Sequence, residues 1–356
     1  MISPPRFMFV ELNRRCNLRC EHCTYWTRSD DRAFYLSKER IGELAAEFAE
    51  MNPEGTLVTC GGEPMLDPDE YFHYTATARR LGLGCFSVIN GTRVTRVNAE
   101  RLLREGPSEI TVSLDSPYAE KHDAWRGVKG SWEVATRAVS RLVGLRKGIL
   151  PKINVMMIVC ERSYRDLDAY YDLVLNRLGA DRAKLNIIQP TFGASPGEDE
   201  FFSRNIVQDV PALVALLQAC DTKYGLRLNP VWIKQVEGYF ESLLRPQQVC
   251  IPTARLHGPA SKEPRRGWNS QMGTVDHICN TYDRNIMVDA AGFARLCFSH
   301  GFRGMQLKKR GDLRQFWFEF AEPIRASMRQ CNRYCGISHS VRKQHATVKE
   351  GGMAAW

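Results

Sequence analysis

Residues 7–23 read FMFVELNRRCNLRCEHC, an apolar run that passes directly into three cysteines, Cys16, Cys20 and Cys23, spaced CxxxCxxC. A short apolar segment with aromatic and β-branched residues, closed by a polar turn, reads as a strand. Thiols in the loop behind such a strand stand where parallel α/β folds place their chemistry. Three thiolates can hold three irons of a [4Fe-4S] cluster and leave the fourth with an open position, which a cofactor-binding cluster requires and an electron carrier does not. A zinc knuckle is the alternative, but zinc prefers four ligands in a closed site, and the nearest fourth candidate, His22, lies between two of the cysteines.

The chain continues as a repeat of strand, turn and amphipathic helix. Strand-like runs recur as TLVTCGG, GCFSVIN, EITVSLD, KINVMMIV and AKLNIIQP, each ended by polar, Gly or Pro residues. Between them Ser37 predicts an N-cap for the helix ERIGELAAEFAEM, and Ser131 opens WEVATRAVSRLVGL. Strands alternating with helices predict an α/β fold with a parallel sheet. A full eight-unit barrel takes about 250 residues. Here the alternation fades after a helix near 208–224, so the count is six units, a partial (β/α)6 TIM-like barrel. The expected organisation is a barrel over 1–235, a linker over 236–274, a small cysteine-rich module over 275–340 and a tail over 341–356.

Composition narrows the function. The 356 residues are 44% hydrophobic and 25% charged with a formal net charge of +9. The basic residues are interspersed with acids rather than gathered in a stripe or tail, which argues against nucleic acid and favours an anionic or polar substrate. The N-terminus lacks a secretory signature and no stretch approaches the roughly 20 apolar residues of a membrane span. The expectation is a cytoplasmic protein without membrane contact, in which the 12 cysteines are reduced thiols and metal ligands.

Several segments, taken in order, resemble the radical S-adenosylmethionine (SAM) superfamily. CGGEP, with Gly61, Gly62, Glu63 and Pro64, resembles the GGE motif that receives the methionyl amino group of SAM. INGT places Asn90 at the tip of the third strand, VSLDS places Ser113 and Asp115 at the tip of the fourth, and HDAWRG resembles an HDxxRG stretch whose arginine, Arg126, pairs with the SAM carboxylate. Asn154 and Gln189 complete the pattern less specifically. The resemblance implies a cluster on Cys16, Cys20 and Cys23 whose open iron binds SAM, reductive cleavage to a 5'-deoxyadenosyl radical, and hydrogen abstraction from substrate. It also implies a reductant such as flavodoxin or ferredoxin.

A second set, Cys279, Cys297, Cys331 and Cys335, resembles the twitch form of the SPASM extension, which carries an auxiliary [4Fe-4S] cluster. Four thiols also suit structural zinc. The segment NIMVDAAGFARLC reads as a β-hairpin turning at Ala-Gly. In cysteine arrangement the chain resembles the butirosin-pathway 2-deoxy-scyllo-inosamine dehydrogenase, which implies a SPASM/twitch oxidoreductase that dehydrogenates a polar small molecule such as a sugar or aminocyclitol. Two alternatives stay open. Cys250, between barrel and module, would serve as the catalytic hydrogen donor of an epimerase, or would be a plain linker thiol. A peptide-modifying maturase is the other, although no leader-reading domain is expected within the fifteen residues before Cys16. Cys60, Cys85, Cys160 and Cys220 read as buried, inert thiols.

Overall fold

The computed structural model describes residues 2–27, 35–190, 199–244, 277–279, 281–297, 304–329 and 340–342. Its strands are β1 (Phe7–Asn13), β2 (Thr56–Gly61), β3 (Gly84–Ile89), β4 (Glu109–Ser113), β5 (Lys152–Val159), β6 (Arg182–Ile187), β7 (His277–Cys279), β8 (Asn285–Val288), β9 (Phe293–Arg295), β10 (Met305–Gln306) and β11 (Ser340–Arg342). The helices are α1 (Lys38–Met51), α2 (Pro68–Arg80), α3 (Arg96–Glu105), α4 (Ala119–Arg126), α5 (Ser131–Leu145), α6 (Leu167–Tyr171), α7 (Glu200–Arg204), α8 (Val210–Tyr224), α9 (Pro230–Leu244), α10 (Asp312–Gln315) and α11 (Glu322–Arg329). Side-chain caps fix several starts: Ser37 accepts from Arg40 N–H, Asp67 from Glu70 N–H and Thr95 from Asn98 N–H.

The six strands expected from the alternation are present and pair in chain order, all parallel. Burial alternates along them. Met8, Val10, Leu57, Thr59, Cys85, Ser87, Ile110, Val112, Ile153, Val155 and Met157 are fully buried on the helix-covered face. The intervening residues, among them Phe9, Val58, Cys60, Phe86, Ser113, Met156 and Ile158, are half-buried and face the inside of the curved sheet. Cys60 is therefore half-buried on the inner face, whereas Cys85 is buried on the helix-covered face, so strand parity separates two thiols that looked alike in the sequence; Cys160, just past the end of β5, is buried.

Two features of the C-terminal third go beyond the local sequence pattern. Helix α9 runs to Leu244, across the boundary placed at 235, because PVWIKQVEGYF buries Ile233, Val236, Tyr239 and Phe240. The expected hairpin forms as β8–β9, with Gly292 at φ +83° in its turn. It does not stand apart: β8 pairs in parallel with β1, so the sheet runs β10-β9-β8-β1-β2-β3-β4-β5-β6. Glu11 Oε2 accepts Ala290 N–H at 3.0 Å, and Arg14 lies 3.6 Å from both the Glu11 and the Asp289 carboxylates, fastening the hairpin turn to the end of β1.

Candidate functional site

Where β1 becomes the cysteine loop its register against β2 shifts, between Glu11 and Asn13, and such an irregularity re-aims the chain at a sheet end. The loop is then held along both sides by backbone. On one side Gly62 N–H donates to Asn13 carbonyl at 2.9 Å and Glu63 N–H to Arg15 carbonyl at 2.7 Å. On the other, Arg19 N–H donates to Arg126 carbonyl at 3.0 Å and Glu21 N–H to Trp125 carbonyl at 3.1 Å.

The glycines are required by this closeness. A Cβ on Gly62 would sit 1.8 Å from Arg15 O, and Gly61 combines φ +110° with a Cβ position 2.3 Å from Asn13 O. Gly127, at φ +66°, would meet Arg19 O at 2.5 Å. Three glycines from two distant motifs thus let the chain pass at backbone contact with the loop.

Glu63 is buried and its two carboxylate oxygens accept Met65 N–H at 3.1 Å and Asn90 N–H at 2.7 Å. Burial pushes its pKa up to about 7, against the lowering effect of those two N–H donors. Pro64 opens the short helical turn behind it. Asn90 ties three segments together: its Nδ2 donates to Asn17 Oδ1 at 3.0 Å and reaches Cys16 Sγ at 4.0 Å, while its Oδ1 accepts Thr92 N–H at 2.9 Å.

The HDAWRG segment is accounted for residue by residue. His122 Nδ1 accepts Asp115 N–H at 3.1 Å, and burial, with Arg126 nearby, lowers its pKa to about 4, so it stays neutral. Asp123 accepts from Ser131 Oγ at 2.9 Å and Trp132 N–H at 2.8 Å, capping α5 from the preceding turn. This supplies what Ser131, the first helical residue, does not. Arg126 is buried, 2.6 Å from Asp115 Oδ2 and 3.7 Å from Cys20 Sγ. Burial favours a neutral Asp115, but Arg126, His22 and His122 outweigh it and hold the carboxyl below its ordinary range.

Of the three loop thiols, Cys20 is buried and Cys16 and Cys23 are half-buried. Sulfur receives donors from Leu18 N–H to Cys16 at 3.5 Å and from Arg126 to Cys20. Burial pushes the Cys16 thiol up to about 11 and Cys20 in the same direction. Thiols so buried ionise when a cation binds them, and the N–H donors around them suit thiolate sulfur, so the donor set fits an iron-sulfur cluster. Polar atoms near the loop also lack a hydrogen-bond partner among the described residues: Arg126 Nε, His22 Nδ1 and Trp125 Nε1. His22 packs edge-on to Trp125 with centroids 5.8 Å apart and also lies against Phe201.

Ser113 is half-buried at the tip of β4, and Gln189 half-buried just beyond β6. Asn154 is fully buried on the inner face of β5, with neither amide atom partnered among the described residues. The Lys184–Glu109 ion pair spans from β6 to β4 on that same face. Of the second cysteine set, Cys279 ends β7, 3.3 Å from Thr281 Oγ1, and Cys297 follows β9; both are half-buried. Cys250, Cys331 and Cys335 lie outside the described residues. Among the described residues no three His, Cys, Asp or Glu side chains converge on a single-ion site. Sequence reasoning missed Asn13, Asn17, Thr92 and Gly127; the signal was their position inside or beside motifs already singled out.

Residues 10–174 match the model of the Radical SAM superfamily. Curated relatives include the AdoMet-dependent heme synthase of Nitratidesulfovibrio vulgaris, 30% identical over 203 residues, covering 56% of this chain and 53% of that protein. The mycofactocin maturase MftC of Mycobacterium tuberculosis is 33% identical over 181 residues, covering 50% and 44%. The chain spans about half the length of these relatives. Among solved structures, Streptococcus suis SuiB bound to S-adenosylmethionine superposes with a TM-score of 0.63 at 13% identity, over 91% of this chain and 68% of that one. The anSMEcpe structure with AdoMet and a peptide gives 0.60 at 16% identity, over 89% and 80%.

Proposed function

We propose that this chain is a radical SAM enzyme, as the match of residues 10–174 to that superfamily's model supports, and that it holds a [4Fe-4S] cluster on Cys16, Cys20 and Cys23, with SAM on its open iron. The observation that carries the reading is the convergence of three distant segments on one three-thiol loop, 61–63 and 125–127 by backbone hydrogen bonds and 90–92 through the side chains of Asn90 and Thr92. When bound, cluster and SAM supply reductive cleavage of the sulfonium to a 5'-deoxyadenosyl radical that removes a substrate hydrogen. The protein's own part is placement. Gly61 and Gly62 leave room at the loop, Asn90 orients Asn17 and Cys16, and Ser113, Asn154, Gln189 and the remaining donors of Arg126 are the proposed SAM contacts. Glu63, held by two N–H donors, acts chiefly by fixing the tip of β3 against the loop. Anaerobic reconstitution tests the reading: about four irons lost in the Cys16/Cys20/Cys23→Ala variant, and 5'-deoxyadenosine released under dithionite by the unaltered chain alone. Absence of that release sinks it.

The auxiliary cluster on Cys279, Cys297, Cys331 and Cys335 remains part of this proposal. The pairing of β8 with β1 supports it, since that ladder ties the hairpin before Cys297 to the strand that carries the first loop. An electron acceptor there suits an oxidation, with flavodoxin or ferredoxin as the proposed reductant.

For the substrate, the inner wall argues against the aminocyclitol expected from cysteine arrangement. Phe9, Val58, Phe86, Val88 and Met287 give β1–β3 and β8 an apolar inner face, with Val88 36% exposed. Thr111, Ser113, Asn154, Lys184 and Asn186 bring polar groups to the same face of β4–β6, beside Met156 and Ile158. A wall of this kind favours a substrate with a broad apolar body and polar substituents. The relatives named heme synthase and Fe-coproporphyrin III synthase make a tetrapyrrole our preferred class, ahead of the maturation reaction that the maturase relative suggests. Titration with iron coproporphyrin III, followed at the Soret band, is expected to saturate in the micromolar range; saturation by 2-deoxy-scyllo-inosamine in calorimetry with no Soret change would reverse the preference.

A further inference from the structure

Asp115, Arg126 and Cys20 form one buried line from the tip of β4 to the cysteine loop. Arg126 Nη2 lies 2.6 Å from Asp115 Oδ2, and Arg126 Nη1 donates to Cys20 Sγ at 3.7 Å. The carboxylate is itself fixed, since Oδ1 accepts Ile158 N–H at 3.2 Å and the Asp115 N–H is taken by His122. Asp115 is 0% exposed and Arg126 8%, so water and salt screen neither charge strongly.

We propose that Arg126 and Asp115 are a positioning pair that sets the reduction potential of the cluster on the loop, Arg126 acting on the Cys20 sulfur and Asp115 acting through Arg126. This rests on the cluster reading given above. Reduction brings one electron from dithionite onto the cluster core, from the 2+ to the 1+ state, with no bond made or broken. A guanidinium donating to a ligand sulfur stabilises the electron-rich state and raises the potential. The carboxylate opposes that effect and also aims the guanidinium. The two members therefore push in opposite directions, and the pair together leaves the cluster close to neutral surroundings. A side chain reserved for the SAM carboxylate would need neither the buried counter-charge nor the contact with sulfur.

The test is a dithionite titration of the anaerobically reconstituted full chain, without SAM, followed by electron paramagnetic resonance. Arg126→Gln is expected to lower the midpoint potential, because Asp115 is left unopposed. Asp115→Asn is expected to raise it, and Arg126→Lys to stay between the unaltered chain and Arg126→Gln. General damage to the site would not produce opposite signs. Iron and sulfide are counted in each variant; should Arg126→Gln fail to hold its cluster, Asp115→Asn decides, and its potential must rise. Potentials that do not move, or move together in one direction, overturn the proposal while leaving the cluster reading intact. An unaltered chain that shows no [4Fe-4S] signal overturns both.

Discussion

At Gly62 the absence of a side chain is a structural requirement. A Cβ there would fall 1.8 Å from the carbonyl oxygen of Arg15, the residue beside Cys16, and backbone cannot yield as a flexible side chain does. Gly62→Ala is therefore expected to push the loop away and reduce bound iron to less than half, measured as iron per chain after reconstitution. Glu63 gives a prediction in pH. Its folded pKa is about 7 against an ordinary value of 4.5, so the folded state binds the proton more tightly than the unfolded one. Stability from this group is then fully present below about 4.5 and is lost as pH rises towards 7, by about 3 kcal/mol from the size of the shift. Urea unfolding of the metal-free protein at the two pH values should show that loss, and Glu63→Gln should flatten it. An unchanged slope in the variant would assign the effect elsewhere.

At the scale of elements, α5 depends on a cap that its own sequence does not contain. Gly130 occupies the N-cap position without a side chain, and Asp123, seven residues earlier, accepts from Ser131 and Trp132. Asp123→Ala should cost about 1–2 kcal/mol, the usual loss of a helix cap, read as a lowered thermal midpoint. Because α4 and α5 are linked through that carboxylate, the variant should also loosen the Arg126–Asp115 contact and weaken SAM binding; retention of full SAM affinity would show that α4 is held by its other contacts. The hairpin β8–β9 shows the same economy. Asp289 Oδ1 accepts Ala291 and Phe293 N–H groups at 3.1 and 2.9 Å while Oδ2 faces Arg14 and Arg295, so one residue closes the turn and docks it.

Across the whole molecule, the sheet curves so that one face is sealed by helices and the other remains half-buried. Val88, on that inner face, is 36% exposed, and under the substrate reading proposed above it would meet the apolar body of the ligand. Val88→Asp should weaken iron coproporphyrin binding at least tenfold, a loss of about 1.4 kcal/mol, measured by the same Soret titration. An unaltered affinity would move the substrate away from β3. Among the described residues no helix is long and apolar enough to cross a membrane.

Much of this was legible in the chain itself. Alternating apolar runs and helical periods fixed six parallel units, because burial of a two-residue or a 3.6-residue stripe leaves few other folds. The cysteine spacing, GGE and HDxxRG pointed to the loop on which the proposed chemistry rests, since each motif serves a local geometric need. What tertiary structure alone decided lies between segments far apart in sequence. Arg126 is pinned by Asp115 and touches Cys20, Glu63 takes up N–H groups from the neighbouring strand tip, and β8 extends the barrel sheet through β1. Such pairings depend on which strand tips adjoin and on which face a side chain emerges, and local pattern carries neither.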